Sequence, residues 1–316
     1  MPHPFRFSTS MPRLTPDIAE WRAQLRRIED LGYWSVAVSD HFTRGWMMEP
    51  VAAMAAAAEA TSTLRLLPLV LANDYRHPVL LHKSLATIDV LSGGRVEVGL
   101  GAGWMGSEYD AAGLAFDPPG VRVERLAEAV DVISGLFGAR PVTYRGKHYR
   151  ITELDGLPKP VQAPRPLILI GGGGRRVLEL AGTGADIVGV NASMRHGAAT
   201  GLSLLDLSDD RVKARVAIAR DAAQAAGRDP ETLRYQMSIL SVDITGVPDS
   251  QPWVSSLASD VTDPTVLATS PAVLHGSVAS CVETLQRRRE EFGLDYLHIG
   301  GDPLAAAPVV AALAGT

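Results

Sequence analysis

Apolar positions along the chain follow two spacings that take turns. Compact or alternating apolar runs of strand length occur at residues 5–10, 34–38, 64–71, 95–100, 167–170, 187–190, 235–244 and 296–299. Between them, apolar residues recur every three to four positions, the spacing of one helical face. After the first run, Thr15, Pro16 and Asp17 read as a helix start, with Thr15 as the cap and Pro16 at the first helical position. Ile18, Trp21, Leu25, Ile28 and Leu31 keep helical spacing until Gly32. An alanine-rich helix is predicted over 49–60. Pro78 opens another, in which Val79, Leu80, Leu85, Ile88 and Leu91 share a face before Ser92, Gly93 and Gly94 end it. Further helices are predicted over 121–137, 175–181, 209–226 and 277–292, and Asp302 with Pro303 opens a last one.

Two segments interrupt this alternation. Residues 142–154 carry paired short β patterns and read as a small hairpin. Residues 246–271 are rich in Pro, Ser, Thr and Asp and read as an excursion from the scaffold. Eight strands alternating with helices in a single domain over 1–316 predict an α/β fold, a (β/α)8 TIM barrel with insertions after strands 4 and 7. A doubly wound sheet would use fewer such units and a second domain. In a barrel the loops that follow the strands build the active face. Here these are 39–46, 72–77, 101–108, 171–176 and 191–196.

Composition narrows the function classes. With 316 residues, 46% of them hydrophobic, the chain can bury one large core. Lys and Arg number 30 against 35 Asp and Glu, and no basic block stands out, which argues against nucleic acid as a partner. Cys281 is the only cysteine, so neither an intramolecular disulfide nor a cysteine metal cluster can form. No His, Asp and Glu group has metal-ligand spacing, so no metal site is expected. The first ten residues lack the apolar core of a secretion signal, and Glu59 interrupts the alanine run around Met54. A cytoplasmic protein without a membrane span is expected.

The chemistry-bearing residues lie on the predicted active face. Gly171, Gly172, Gly173 and Gly174 stand between a strand and a helix, where backbone N–H groups and the helix amino terminus can hold an anion, with Arg175 and Arg176 adding charge. The plainer reading is a tight turn. Asp40 and His41 follow strand two, and a histidine titrating near neutrality can move a proton at a reacting atom. Its alternative is a loop histidine satisfied by hydrogen bonds. His77 reads as a turn residue before a helix or as a substrate contact. His82, on a helix, and His298, within a strand, read as structural. Lys83, Lys147, Lys159 and Lys213 all lie away from strand ends, which disfavours a Schiff base. Trp46, Met47, Met48, Trp104 and Met105 place large apolar groups on active-face loops, suited either to loop packing or to a planar aromatic ligand.

Several stretches together resemble the luciferase-like flavin and deazaflavin oxidoreductases. They are Ser39-Asp40-His41, Arg76-His77-Pro78, Leu91-Ser92-Gly93-Gly94-Arg95, Gly99-Leu100-Gly101-Ala102-Gly103-Trp104, and Leu169-Ile170 with the four glycines after them. The resemblance covers nearly the whole chain and is closest to the actinobacterial coenzyme F420-dependent oxidoreductases. It implies a ring-shaped cofactor at the strand C-termini, backed by a bulge with a non-prolyl cis peptide near Leu69, Val70 and Leu71. It further implies Asp40 at the ring edge and His41 as the proton donor or acceptor. Cofactor contacts are then expected from Asp40, Leu69, Val70, Asn73, Gly101, Ala102, Gly103 and Trp104. Gly171, Gly172, Gly173, Val190 and Asn191 would hold the phosphate, while Trp46, Met105 and His77 would shape the substrate pocket.

The chain also departs from the family pattern. Met105 stands where relatives often carry Asn. Trp104 stands where sugar-phosphate dehydrogenases carry Glu, and the lysines those enzymes use for a substrate phosphate are missing. The resemblance thus implies hydride transfer between coenzyme F420 and a small-molecule substrate with a C=C, C=O or C=N bond, in a homodimer. A monooxygenase using reduced FMN and oxygen is the alternative, and a non-catalytic flavin-binding barrel the third reading.

Overall fold

The computed structural model describes residues 2–42, 48–194, 206–245 and 270–316. Its strands are β1 (Arg6–Ser10), β2 (Ser35–Val38), β3 (Arg65–Pro68), β4 (Leu71–Ala72), β5 (Val98–Gly101), β6 (Val142–Arg145), β7 (Arg150–Leu154), β8 (Ile168–Gly172), β9 (Ile187–Val190), β10 (Arg234–Ile239), β11 (Ser241–Ile244), β12 (Val273–Gly276) and β13 (Leu294–Ile299). The helices are α1 (Ile18–Asp30), α2 (Pro50–Ala60), α3 (Pro78–Leu91), α4 (Gly106–Ala112), α5 (Pro119–Phe137), α6 (Arg175–Gly184), α7 (Asp209–Ala225), α8 (Val278–Phe292) and α9 (Pro303–Leu313).

Parallel pairing runs in the order β3, β2, β1, β13, β10, β9, β8, β5, β4. The two end members, β3 and β4, are halves of one extended segment, so the run closes on itself as an eight-position barrel. Leu66 also bridges Val96 in parallel, which stitches β3 to the chain entering β5. The predicted strand over 64–71 is therefore broken at a cis peptide between Leu69 and Val70, where the resemblance had implied one.

Packing follows from which residues each element turns inward. In α1, Trp21, Leu25 and Ile28 are buried against the barrel. Leu25 has no exposed surface, so Leu25→Ala is expected to cost about 3 kcal/mol. A small apolar layer of Ala37, Leu67, Leu169, Ile187 and Tyr296 fills the barrel interior. Below it Tyr296 Oη donates to Glu97 Oε2 at 2.8 Å and meets Ser35 Oγ at 2.6 Å, while Trp34 Nε1 and Arg65 Nε donate to Glu97 Oε1 at 3.0 Å. The fully buried Glu97 is thus paired and hydrogen-bonded, as a charge out of water must be.

Four expectations change. Asp17, not Thr15, caps α1: its carboxylate accepts from Ala19 N at 2.8 Å, while Thr15 Oγ1 donates to Asp17 O. On α3 the inward face is Leu81, Leu85 and Ile88, whereas Leu80 and Leu91 stand 67% and 64% exposed. The predicted strand over 235–244 divides at Ile239: β10 stays in the barrel, and β11 leaves it to pair in parallel with β12. Leu240 N and Ser241 N both donate to Ala272 O, which draws the chain away at that point. Finally, α4 in the loop after β5 has no counterpart in the periodicity. The hairpin forms as β6 and β7; most of the 246–271 excursion lies outside the described residues. Among the described residues no helix is long and apolar enough to cross a membrane.

Candidate active site

A cavity of about 1470 Å³ opens at the C-terminal ends of the barrel strands. Its apolar ledge is the Leu69–Val70 bulge, and glycines make room for that bulge. A Cβ on Gly99 would lie 1.8 Å from Pro68 O, and one on Gly101 would lie 2.6 Å from Val70 Cγ2. Gly171 on the neighbouring β8 is similarly close, at 3.1 Å from Val70 Cγ1. The alternate glycines thus admit the chain's own bulge before any ligand.

Strand two delivers Asp40 and His41 to the cavity, and each is already bound to a partner. Asp40 is buried and accepts both guanidinium nitrogens of Arg76, at 2.6 and 3.0 Å, as well as Ala72 N at 2.9 Å. Arg76 reaches on to Glu49 Oε1 at 2.6 Å. This carboxylate ties the exits of strands two and three together. His41 Nδ1 sits 2.8 Å from Oε2 of Glu108, a fully buried carboxylate on α4. Phe42 N and Tyr75 Oη also donate to Glu108, at 3.2 and 3.1 Å. Burial and the adjacent Glu108 push the Tyr75 hydroxyl well up, so it stays a donor. The His41 ring meets Trp104 edge-on, with centroids 5.7 Å apart.

The loop after β5 is clamped from below. Arg122 on α5 is buried and donates from its guanidinium to the carbonyls of Ala102 and Gly103. Gly103 has φ +74°, and a Cβ there would lie 1.9 Å from Tyr109 Oη, so only glycine fits. Beside it, at the end of the neighbouring β8, Gly172, Gly173 and Gly174 lead into the amino terminus of α6. Gly173 packs on the backbone of Asn191 and Ala192, while Gly174 faces open space. Arg175 pairs with Glu179 at 2.8 Å; Arg176 reaches over Gly120 and lines the cavity.

The match to known proteins agrees with this architecture. The family model for luciferase-like monooxygenases matches residues 3–242. The chain belongs to the luciferase-like monooxygenase family. Within that family it is 27% identical over 214 residues to the FMNH2-dependent dimethylsulfone monooxygenase of Pseudomonas putida, covering 62% of this chain and 59% of that one. It is 29% identical over 226 residues to the F420-dependent hydroxymycolic acid dehydrogenase of Mycobacterium tuberculosis, covering 70% of this chain and 58% of the relative. The match therefore spans less than two thirds of these relatives' lengths. The coenzyme F420-dependent tetrahydromethanopterin reductase of Methanopyrus kandleri superposes with a TM-score of 0.75 at 18% identity, over 98% of both chains, which shows the shared fold.

Against this luciferase-like frame the predicted site residues divide. Asp40, His41, Leu69, Val70, Gly101, Ala102, Gly103, Trp104, Met105, Gly171, Gly172, Gly173 and Asn191 all line the cavity. Three do not. Asn73 turns away, and its buried amide donates to Tyr149 Oη at 3.2 Å. Val190 is fully buried in the apolar core outside the barrel wall, because strand alternation sends Gly189 and Asn191 the other way. His77 caps α3, its Nδ1 accepting from Val79 N at 3.3 Å, and it stands edge-on to Tyr149 outside the cavity. Trp46 lies outside the described residues. Among the described residues no cluster could hold a metal ion.

Sequence reasoning missed Glu108, Arg76 and His298. Glu108 and Arg76 act through partners 67 and 36 positions away. His298, read as structural, in fact lines the cavity. Its place on a strand was legible, but the direction of its side chain was not.

Proposed function

We propose that this chain is an oxidoreductase transferring a hydride between coenzyme F420 and a small organic substrate at a C=C, C=O or C=N bond. The observation that carries this reading is the His41–Glu108 pair on the cavity wall. Glu108 holds Nδ1 of the imidazole, which fixes how the His41 ring stands on the cavity wall for proton transfer.

The residues present fit the cofactor. Leu69 and Val70 supply an apolar ledge beside Ala102 and Gly103 for a planar ring, and Trp104 covers an edge. Backbone N–H groups of Gly172, Gly173 and Gly174 at the start of α6 would hold its phosphate. F420 continues past its phosphate into further carboxylates, whereas FMN ends there. Arg176 lines the same cavity, has no ion-pair partner among the described residues, and would supply a charge for such a carboxylate. Bound there, reduced F420 supplies a hydride without activating oxygen. The chain's part is to orient the ring, keep water from it and deliver a proton from His41. We further propose a homodimer, supported by exposed Leu80 and Leu91 on α3 beside exposed Leu157 and Val161.

Titration against F420 and FMN, followed by the protein's tryptophan fluorescence, tests the reading. F420 is expected to bind at least about tenfold more tightly than FMN, and Arg176→Glu to weaken F420 more than FMN, tenfold being 1.4 kcal/mol. Preference for FMN would turn the function to oxygen-dependent monooxygenation. Binding of neither would leave the barrel standing and overturn the cofactor reading.

A further inference from the structure

We infer that His298 is the substrate-contacting residue of this cavity and that, with Ser8, Ser10 and Ser238, it selects a neutral oxygen-bearing group, a carbonyl or hydroxyl, over an anion. The inference deepens the function proposed above and rests on the ring lying against the Leu69–Val70 ledge.

In the barrel register Ser8 on β1 and Ser238 on β10 both pair with His298 on β13. Residues paired across parallel strands point to the same face, so the three side chains form one layer. His298 and Ser238 line the cavity. The layer stands three strand positions from the ledge, across the mouth of the barrel, counted through β1 and β2. A substrate placed on the exposed side of a ring seated on Val70 meets this wall.

The chemistry of the wall is polar and uncharged. Ser8 Oγ engages His298 Nδ1 at 3.1 Å, which fixes the ring. Among the described residues Nε2 has only a long 3.4 Å contact with Ser10 Oγ, a hydroxyl exposed to the cavity that a ligand oxygen can displace. Burial drives the imidazole down to about 4, so at neutral pH it carries no charge. The polar column continues one layer deeper on β10, where the fully buried Gln236 amide has no partner among the described residues for either its nitrogen or its oxygen.

The arginines around the cavity are committed or stand on other elements, and Arg6, on the same face of β1 as Ser8 but one layer deeper, lies over the Trp34 ring. Arg76 is bound to Asp40 and Glu49, and Arg122 to backbone carbonyls. Arg175 and Arg176 stand at the start of α6, and Arg13 and Arg27 are exposed residues at the outer rim. Among the described residues, none belongs to the His298 layer. A carboxylate or phosphate placed there would lose its hydration without a countercharge, whereas a carbonyl or hydroxyl exchanges one hydrogen bond for another.

The test uses two probes that share one ketone ring, cyclohexanone and 4-oxocyclohexanecarboxylate. Their affinities are measured by ligand-observed NMR on the full chain, with and without cofactor. The wild-type chain is expected to bind cyclohexanone at least about tenfold more tightly than the carboxylate, a difference of 1.4 kcal/mol. His298→Leu is expected to lose that affinity, His298→Gln to keep most of it, and His298→Lys to reverse the preference. Equal or tighter binding of the carboxylate, no binding of cyclohexanone, or unchanged affinity in a folded His298→Leu chain would overturn the inference. If His298→Lys does not fold, the Leu and Gln variants still decide it. Failure of F420 to bind, read in its own titration, would sink the cofactor reading separately.

Discussion

Nδ1 of His41 lies 2.8 Å from Oε2 of Glu108, a carboxylate with no solvent exposure contributed from 67 positions later in the chain. Two more donors, Phe42 N and Tyr75 Oη, converge on the same carboxylate. A buried carboxylate satisfied in this way is a fixed anchor, and the imidazole it holds has one orientation.

Glu108→Gln should therefore behave as a positioning variant. It keeps the shape and one acceptor oxygen but removes the charge facing His41. Turnover is expected to fall about 10- to 100-fold, the range seen when an orienting partner is lost, with cofactor affinity within about twofold of wild type. His41→Ala should lower turnover about 100-fold or more. A Glu108→Gln chain with unchanged turnover and pH profile would show that the pair only packs the loop.

The Asp40–Arg76 pair predicts a stability effect. Arg76→Ala leaves Asp40, 3% exposed, without its bidentate partner. Unfolding in urea should show a loss of about 3 kcal/mol. Asp40→Asn with Arg76→Ala should recover part of it, because the uncompensated buried charge is then gone. A loss under about 1 kcal/mol, the worth of an exposed pair, would mean that solvent reaches this carboxylate freely.

Gly103 and Tyr109 should be coupled. Gly103→Ala incurs about 1–2 kcal/mol from its left-handed backbone, and its methyl would also strike the Tyr109 hydroxyl. Tyr109→Phe alone gives up a 3.1 Å hydrogen bond to Asp74, worth about 1 kcal/mol. The double variant is expected to be more stable than the sum of the singles predicts. Additive losses would rule out the contact.

Acid should destabilise the fold through its buried histidines. Burial pushes His82 and His298 down to about 4, below the ordinary 6.5. Between those values the unfolded chain takes up protons that the folded chain refuses, so stability falls as pH drops from 6.5 towards 4 and is unaffected above. Each group contributes up to about 1.4 kcal/mol per pH unit in that window. His82→Gln should flatten the pH dependence of the urea midpoint there. Parallel curves for variant and wild type would refute the assignment.

Periodicity alone determined a great deal here. Runs of strand length alternating with helical faces give a (β/α)8 order, and that order places every strand-following loop on one face. Asp40, His41, Gly101 and Gly171 were legible as residues of that face because position in the chain decides it. Side-chain direction and partner choice were decided elsewhere. Val190 and Asn191 are adjacent, yet one is buried in the core and the other lines the cavity, because a strand alternates. Gly99 and Gly101 have no local turn to explain them; barrel closure sets Pro68 and Val70 where a Cβ would stand. His41 finds Glu108, and Asp40 finds Arg76, only because α4 and the turn after β4 are folded over the strand ends. Local sequence fixes spacing along one chain segment; these contacts join segments that meet only when eight strands close into a ring.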